Sequence, residues 1–367
     1  ELKVVSFANL VSQWHGKNYK CVQLFGGLII LIFLSTYAAA QLNAGSKSMH
    51  VIFGLDYRLG AIIGGVIVLL YCFSGGIRAS IWTDAAQSFV MIVAMFLMVF
   101  FGIKEVGGVS IFIDELHKIS PDYMKWFPST NFSEFLLAPY MFIIGWFFSG
   151  VGVIGQPHVM VRFMTIDSTK NIPKTRIYYY TWYTLFYLFS ILAAFVARLL
   201  IPETNNMDPE LALPTLAQSL LPEFFVGVIL AGIFAATMST ADSQILACTA
   251  SITNDLSLNK NNNYLINKLA TLIITVFVVT IAINDNKNVF NLVLMSWSTL
   301  ACCFSPLLIV NSLKQKVSEF SSLMMMIIPL ITLIVWRHYE LNTYIYEVAP
   351  GIISGILTFF VFKLLRK

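Results

Sequence analysis

The chain has 367 residues, of which 57% are hydrophobic and 11% are charged, and its formal net charge is +4 at pH 7. Soluble domains average about 25% charged residues, so this chain has too few charges to cover a globule in water. The basic residues are spread over many short segments and form neither a stripe nor a recognition module, which argues against a nucleic-acid partner.

Ten apolar segments follow one another along the chain, and each approaches the ~20 residues that a helix needs to cross a bilayer. They are Val22–Leu42, Leu59–Gly76, Ala85–Ile103, Phe135–Ile154, Tyr178–Val196, Phe224–Ile252, Tyr264–Ile283, Val289–Val310, Phe320–Trp336 and Val348–Leu365. The sequence therefore predicts an all-α polytopic membrane protein with about ten transmembrane helices in the lipid bilayer. We expect a single membrane domain over residues 1–367, with the helices in 21–365.

The basic residues also predict the orientation of the helices. An even number of spans places both ends of the chain on one side of the membrane. The segments on that side hold 15 of the 23 Lys and Arg residues and the opposite segments hold eight, and an excess of basic residues marks the cytoplasmic side. Both ends, including the N-terminal segment 1–20, are therefore expected in the cytoplasm, and the acidic segment Pro202–Glu210 outside.

Two polar residues in the early spans each allow two interpretations. Tyr37 lies in the outer third of the first span, where a tyrosine is either an interfacial anchor or a ligand contact. Asp84 comes just before the predicted start of the third span. Its carboxylate could hold a cation that leaves the protein, or it could cap the helix N-terminus together with Thr83.

The fourth span is rich in glycine and ends in Gly155-Gln156-Pro157-His158. Glycines followed by a proline are typical of an unwound segment, and broken helices form the midplane site of many transporters because they free backbone groups for ligands. Close helix packing by small residues is the alternative interpretation.

The sixth span contains a polar stretch, Ser239-Thr240-Ala241-Asp242-Ser243-Gln244, within an otherwise apolar run. Ala236, Ser239 and Thr240 lie at helical spacings of three and four, so they share a face. Two hydroxyls and a backbone carbonyl are hard oxygen donors that suit a small cation. The same hydroxyls could instead bond to their own helix or to a neighbouring one.

The remaining residues give no support to enzymatic chemistry. The five cysteines lie in or beside apolar spans and form no CxxC motif, and the five histidines are scattered, without the spacing of a metal site. No nucleophile–base pair or phosphate-binding loop is present. We therefore predict no catalytic residue, no enzyme activity and no metal other than a bound alkali cation.

Four ordered stretches give the chain a resemblance to the sodium:solute symporter family, and within it to the sodium/proline symporter branch. They are Gly75-Gly76-Ile77-Arg78-Ala79 with Trp82-Thr83-Asp84-Ala85-Ala86-Gln87; Gly155-Gln156-Pro157-His158 through Arg162-Phe163-Met164; Ala235-Ala236-Thr237-Met238-Ser239-Thr240; and Tyr346-Glu347-Val348-Ala349-Pro350-Gly351. The stretches span nearly the whole chain.

The resemblance implies a leucine-transporter-like core of two inverted five-helix repeats within a thirteen-helix architecture. Ten spans fit that count if three N-terminal helices, including the first two of the core, are missing. The resemblance also implies that Ala236, through its carbonyl, and the hydroxyls of Ser239 and Thr240 bind sodium. Asp84 matches an acidic residue associated with sodium coupling and exit.

For the substrate, the resemblance points to a pocket of four residues: Tyr37, Ser149, Val153 and Gln156. Tyr37 falls where the branch has a substrate-pocket tyrosine. Ser149 and Val153 stand where the branch has a tryptophan and a tyrosine, so two aromatic walls are absent and a differently shaped pocket is expected.

The function implied by the resemblance is sodium-coupled secondary active import of a small organic solute across the plasma membrane, in bacteria the inner membrane. An amino acid such as proline is the first candidate substrate and a small carboxylate the second. A solute sensor or receptor built on a symporter-like membrane domain is a further alternative. The oligomeric state stays open.

Overall fold

The computed structural model describes residues 4–14, 17–120, 123–125, 137–201, 207–256, 263–284 and 288–365. Thirteen α-helices lie in these ranges: α1 (Phe7–Ser12), α2 (Lys20–Phe53), α3 (Tyr57–Val106), α4 (Val109–Ile119), α5 (Ala138–Val151), α6 (Pro157–Met164), α7 (Ile172–Leu200), α8 (Ala212–Leu220), α9 (Glu223–Ala250), α10 (Tyr264–Asn284), α11 (Val289–Ser312), α12 (Glu319–His338) and α13 (Val348–Leu364). A small antiparallel ribbon pairs β1 (Gln13–Trp14) with β2 (Lys17–Asn18).

Each of the ten predicted spans forms a helix, although residues 135–136 of the fourth span lie outside the described residues. Seven of the described helices are long and apolar enough to cross a membrane, and an eighth span is a bent pair of helices. The other two, Tyr57–Phe73 and Val348–Leu364, are shorter apolar helices. The structure thus has the predicted all-α, multi-span organisation.

The second and third predicted spans meet at a glycine break inside α3. Gly76 has φ 55° and ψ −146°, a backbone conformation that only glycine adopts readily. The third span therefore begins at Gly75, ten residues before the predicted Ala85. Asp84 lies inside this helix, so the interpretation of Asp84 as a helix N-cap is wrong.

The helix α2 forms the centre of the bundle and packs against α3, α9, α10 and α11. Its side chains Leu34, Ala38 and Leu42 are completely buried. A second apolar cluster joins the second half of α3 to α4, α7 and α8. Because α9 and α11 both pack against α2, some of their polar side chains lie within the protein, among them Ser35, Asp242 and Ser298.

The bundle has two ends, which we name by their contacts. At the α1 end, the Ser6 hydroxyl donates a hydrogen bond of 2.5 Å to Asp255, which closes a π-helical turn after α9. At the Lys47 end, the ammonium of Lys47 on α2 pairs with Asp208 at 2.7 Å and Glu210 at 2.5 Å. Polar contacts between distant segments thus hold the helices together at both ends.

Candidate sodium and substrate site

A broken helix crosses the centre of the bundle. The helix α5 ends at Val151, a 3₁₀ turn covers Gly152–Gly155, and α6 begins at Pro157 at an angle of 52° to the preceding segment. Gln156 has the extended conformation, φ −90° and ψ 108°, that is favoured before a proline. The predicted unwound segment is therefore present, at the predicted residues.

The glycines of this turn also pack closely against α11. A β-carbon on Gly152 would lie 2.7 Å from the Ala301 side chain, and one on Gly155 would lie 2.7 Å from Ser305 Oγ and 2.9 Å from the Ala301 backbone. Both interpretations of the glycine-rich span therefore apply. The α-helix is interrupted here, and α11 approaches the backbone of the turn more closely than a residue with a β-carbon would allow.

Trp297 of α11 contacts the broken helix on both sides of the break. Its indole Nε1 donates a hydrogen bond to the carbonyl of Ser149 at 3.3 Å. Its own backbone carbonyl accepts a hydrogen bond from Gln156 Nε2 at 3.0 Å. Sequence reasoning did not single out Trp297. The available signal was a tryptophan in mid-span with small residues, Ala301 and Ser305, at spacings of four and eight.

Of the predicted substrate residues, the structure brings Tyr37, Ser149 and Gln156 to this break. Tyr37 lies near the middle of α2, is 9% exposed, and its ring meets that of His158 edge-on with 5.7 Å between centroids. This buried position does not fit an interfacial anchor. Val153 lies in the 3₁₀ turn itself and is half-buried.

Two buried polar atoms at the break have no hydrogen-bond partner in the part of the chain that the structure describes. Gln156 is completely buried, and its Oε1 has no hydrogen-bond partner among the described residues. The same holds, in the described part of the chain, for Nδ1 of His158. Buried polar groups are nearly always paired in folded proteins, so unpaired ones call for an explanation.

The three predicted sodium ligands share one half-buried face of α9. The carbonyl of Ala236 accepts hydrogen bonds from both the Ser239 and the Thr240 hydroxyl, each at 3.1 Å. The alternative interpretation, bonding of the hydroxyls to their own helix, is therefore what this structure contains. A hydroxyl that donates in this way keeps lone pairs on its oxygen, so the three oxygens remain clustered and able to accept a cation.

Asp84 lies beside this face and is paired with a cation of the chain itself. Its Oδ2 forms an ion pair with Arg162, the basic residue of the last turn of α6. Arg162 also donates a hydrogen bond of 2.6 Å to Ser243, and the Ser243 hydroxyl bonds the carbonyl of Ser239 at 2.7 Å. A continuous path of polar contacts thus joins Asp84 to the proposed sodium ligands.

A cavity of about 490 Å³ lies at the Lys47 end, above the break. Phe142 and Trp146 of α5 line one side, and Leu294 of α11 and the ion pair of Arg337 with Glu347 line the other. Trp146 precedes Ser149 by one helical turn. The cavity therefore borders α5, the first part of the broken helix.

Taken together, the multi-span helical bundle, the helix broken at its centre and the adjacent hydroxyl face define a membrane transporter core. A family model, sodium:solute symporter family, matches residues 1–362. The chain belongs to this family, as the sequence motifs predicted. Its function is sodium-coupled symport of a solute, with Na⁺ as the co-transported ion.

Several curated relatives are similar over nearly the whole chain. The sodium/proline symporter of Salmonella typhimurium (strain LT2) is 29% identical over 361 residues, which cover 95% of this chain and 70% of that protein. The high-affinity proline transporter PutP of Bacillus subtilis (strain 168) is 28% identical and covers 96% and 75%. Sodium/proline symporter 2 of Staphylococcus saprophyticus is 30% identical over 370 residues and covers 95% and 70%.

The fold is shared with a solved structure, the substrate-bound outward-open state of a Na⁺-coupled sialic acid symporter. The TM-score is 0.76 at 18% sequence identity, and the match covers 97% of this chain and 76% of that chain. The predicted fold class, a symporter of the leucine-transporter type, is confirmed by this similarity.

Proposed function

We propose that the solute is a small amino acid, with proline as the first candidate, and that Na⁺ drives its import by alternating access. The names of the relatives support this choice of substrate, since three of them at 28–30% identity are called proline transporters. The driving force is the sodium gradient together with the membrane potential, which contributes ~2.3 kcal/mol per charge per 100 mV.

In this proposal, sodium binds on the shared face of α9. Ala236 contributes its carbonyl oxygen, and Ser239 and Thr240 contribute their hydroxyl oxygens. The observation that carries the proposal is that both hydroxyl oxygens already lie 3.1 Å from the Ala236 carbonyl oxygen, on a helix that contacts α6 of the broken helix. Sodium bound here fixes the position of α9 relative to the helices that close over the substrate.

Asp84 and Arg162 form the exit route for sodium. The guanidinium of Arg162 forms an ion pair with the carboxylate of Asp84 in this structure. It therefore stands where a sodium ion bound to Asp84 would lie. A sodium ion that leaves the hydroxyl face through Ser243 competes with the guanidinium for Asp84. Displacement of Arg162, which belongs to α6, then links ion release to a movement of the broken helix.

The substrate binds at the break, among Tyr37, Ser149, Val153 and Gln156. The serine and valine leave more room than two aromatic rings would, and Trp297 of α11 and His158 supply aromatic surface from other directions. In this proposal the pocket therefore offers the solute both backbone groups of the break and aromatic rings. No residue of the site is assigned a catalytic role, because symport breaks no covalent bond.

The chain acts as a single transporter domain in the plasma membrane, with both ends on the cytoplasmic side. The Lys47 end, with its cavity, then faces outwards and the α1 end faces the cytoplasm. This orientation follows from the excess of basic residues on the segments of the α1 side. Substrate enters through the cavity above the break, and sodium leaves past Asp84.

The test is uptake into proteoliposomes that contain the purified protein, with and without an inward sodium gradient. Labelled proline, other amino acids and short monocarboxylates are compared. We expect sodium-dependent accumulation of an amino acid, which Ser239→Ala/Thr240→Ala reduces by raising the sodium concentration needed for half-maximal uptake at least tenfold. Thr237→Val is the matched control, because the Thr237 hydroxyl donates to the carbonyl of Phe234 and is not one of the proposed ligands.

Two results would contradict the proposal. Solute binding without accumulation under any sodium gradient would favour a sensor. Accumulation of a monocarboxylate in place of amino acids would show that the substrate class is wrong while sodium coupling is right.

A further inference from the structure

We infer that Gln156 accepts a hydrogen bond from the nitrogen of the solute, and that Trp297 positions Gln156 to do so. The inference rests on the proposed function and narrows it: the site selects solutes that bring an N–H group to the break. Carboxylates without an N–H group are excluded on this basis.

The orientation of the Gln156 amide follows from its hydrogen bond with Trp297. The carbonyl oxygen of Trp297 lies 3.0 Å from the Gln156 amide, and a carbonyl can only accept a hydrogen bond. The NH₂ group of Gln156 must therefore point at Trp297. This places Oε1 on the opposite side of the amide, where it has no partner within the described ranges.

An amide oxygen can accept hydrogen bonds but cannot donate one. Gln156 is completely buried, and in this inference a donor group of the bound solute satisfies its oxygen. A solute with an ammonium or secondary ammonium group supplies the donor. A carboxylate or ketone brings only acceptors and would leave Oε1 unpaired, which a buried site penalises.

The location of Gln156 at the break distinguishes it from the unpaired amide of Gln244. Gln244 of α9 is also buried with both amide atoms unpaired in the described structure, but it is not part of the broken helix. Gln156 is the residue between the 3₁₀ turn and α6, next to Ser149 and Val153 of the proposed pocket. Its backbone carbonyl is already used, since it accepts from the amide of Met160 at 3.0 Å, so the free acceptor is the side chain.

Trp297 holds the two sides of the break in position through two hydrogen bonds. The indole holds the backbone of Ser149, before the break, and the backbone carbonyl holds Gln156, after it. We therefore describe Trp297 as a positioning residue. Trp297→Phe keeps a ring at the position but removes the indole donor, so α11 would no longer hold Ser149 in register with Gln156.

The test uses a series of ligands with the same five-membered ring. Proline, N-methylproline and N,N-dimethylproline carry two, one and no N–H groups on the charged nitrogen. 5-Methylproline is the steric control, because its extra methyl group lies beside the nitrogen while both N–H groups remain. Each compound competes for sodium-driven uptake of labelled proline into proteoliposomes, and lactate is included as a carboxylate without nitrogen.

For the wild-type protein we expect N,N-dimethylproline to bind at least tenfold more weakly than 5-methylproline. Gln156→Met, which keeps the side-chain length, should raise KM for proline at least tenfold with a smaller change in kcat. It should leave the affinity for N,N-dimethylproline unchanged, so that the preference for 5-methylproline over N,N-dimethylproline disappears. Trp297→Phe should weaken the same preference. Gln218→Met, the corresponding change at an exposed position of α8, should have no effect.

The outcomes separate this inference from the proposed function. Sodium-driven uptake of proline with equal affinity for 5-methylproline and N,N-dimethylproline overturns the inference and leaves the proposed function intact. This comparison needs only the wild-type protein, so it stands even if a variant fails to fold. A preference that persists in Gln156→Met also overturns the inference. Absence of sodium-driven uptake of any compound overturns the proposed function, and the inference with it.

Discussion

Arg162 forms an ion pair with Asp84, and each residue belongs to a helix that is interrupted at glycines. Asp84 follows the break at Gly75–Gly76 of α3, and Arg162 follows the 3₁₀ turn before α6. The guanidinium also reaches Ser243 of α9. One side chain thus connects the broken helix, the kinked helix and the helix that carries the proposed sodium ligands.

The first prediction concerns the energy of this pair. Asp84→Asn leaves a guanidinium without its counter-ion, and removal of one partner of a fully buried pair costs about 3–5 kcal/mol. The side chains here are 33% and 20% exposed, so we expect a smaller loss, about 1–3 kcal/mol. Arg162→Gln should cost a similar amount.

The measurement is the thermal unfolding of the detergent-solubilised protein for both single variants and the double variant. Since the two residues contact each other, the double variant should lose less stability than the sum of the single losses. The exposed pair of Lys118 and Glu115 is the control and should give additive effects. Additive losses at Asp84 and Arg162 would show that the pair contributes nothing as a pair.

The second prediction concerns the turn at the break. A β-carbon on Gly155 would lie 2.9 Å from the backbone of both Ala301 and Leu300, and backbone atoms cannot give way as a side-chain tip can. Gly155→Ala should therefore lower stability by about 1–3 kcal/mol and abolish transport. Gly150→Ala is the control, because a β-carbon there meets no atom within 4 Å among the described residues. The readouts are thermal unfolding and sodium-driven uptake, and equal behaviour of the two variants would contradict the prediction.

The sequence predicted what depends on local pattern. Apolar runs located all ten helices, glycines before a proline located the break, and the spacing of Ala236, Ser239 and Thr240 placed them on one face. These features need no knowledge of which helices are neighbours, because periodicity and backbone preference act within a segment.

The sequence did not predict contacts between segments. The predicted third span begins at Ala85, yet the polar residues before it are helical. Distant partners satisfy their side chains: Ser80 donates to Asp242 at 3.2 Å, and Asp84 pairs with Arg162. The sequence likewise does not predict the contacts of Trp297 with the broken helix, since they depend on the packing of α11 against a segment about 140 residues earlier in the chain.

The third prediction concerns pH and the contact of Asp208 with Lys47 at 2.7 Å. Burial of Asp208 raises its pKa, but the hydrogen bonds from Lys47 and from the Glu210 amide outweigh this, and the net effect is a pKa below the usual 3.8. A carboxyl group whose pKa is lower in the folded state stabilises the fold above its unfolded pKa, and this contribution is lost as the pH falls through the folded value.

We therefore expect Asp208→Asn to be less stable than the wild type from pH 5 to pH 8, by under about 1 kcal/mol because the Asp208 side chain is 37% exposed. The difference should shrink below about pH 4, where the wild-type carboxyl group also becomes protonated. Thermal unfolding of both proteins across this range measures it. Asp114→Asn, at an exposed position of α4, is the control for the removal of a carboxylate. A stability difference between the two proteins that grows as the pH falls would contradict this prediction.

The fourth prediction concerns Glu210, which links the Lys47 end of α2 to the start of α11. Its carboxylate accepts hydrogen bonds from the amides of Phe290 at 2.9 Å and Val289 at 3.2 Å, in addition to the 2.5 Å contact with Lys47. A negative charge at a helix N-terminus satisfies free N–H groups and interacts favourably with the helix dipole. Glu210→Gln keeps the shape of the side chain but weakens all three contacts, so the first turn of α11 should move away from α2 more often.

Because Leu294 lines the cavity at this end of α11, a Leu294→Cys reporter in a Cys21→Ser background measures that movement by its rate of alkylation. The background removes the one native cysteine that is exposed. We expect Glu210→Gln to accelerate labelling several-fold, with sodium slowing it less than in the wild type. Glu223→Gln, an exposed carboxylate in the first turn of α9, is the matched control and should leave the rate unchanged. Equal rates for Glu210→Gln and Glu223→Gln would mean that the first turn of α11 is held by its apolar packing, and that Glu210 has no part in the opening of this end of the bundle.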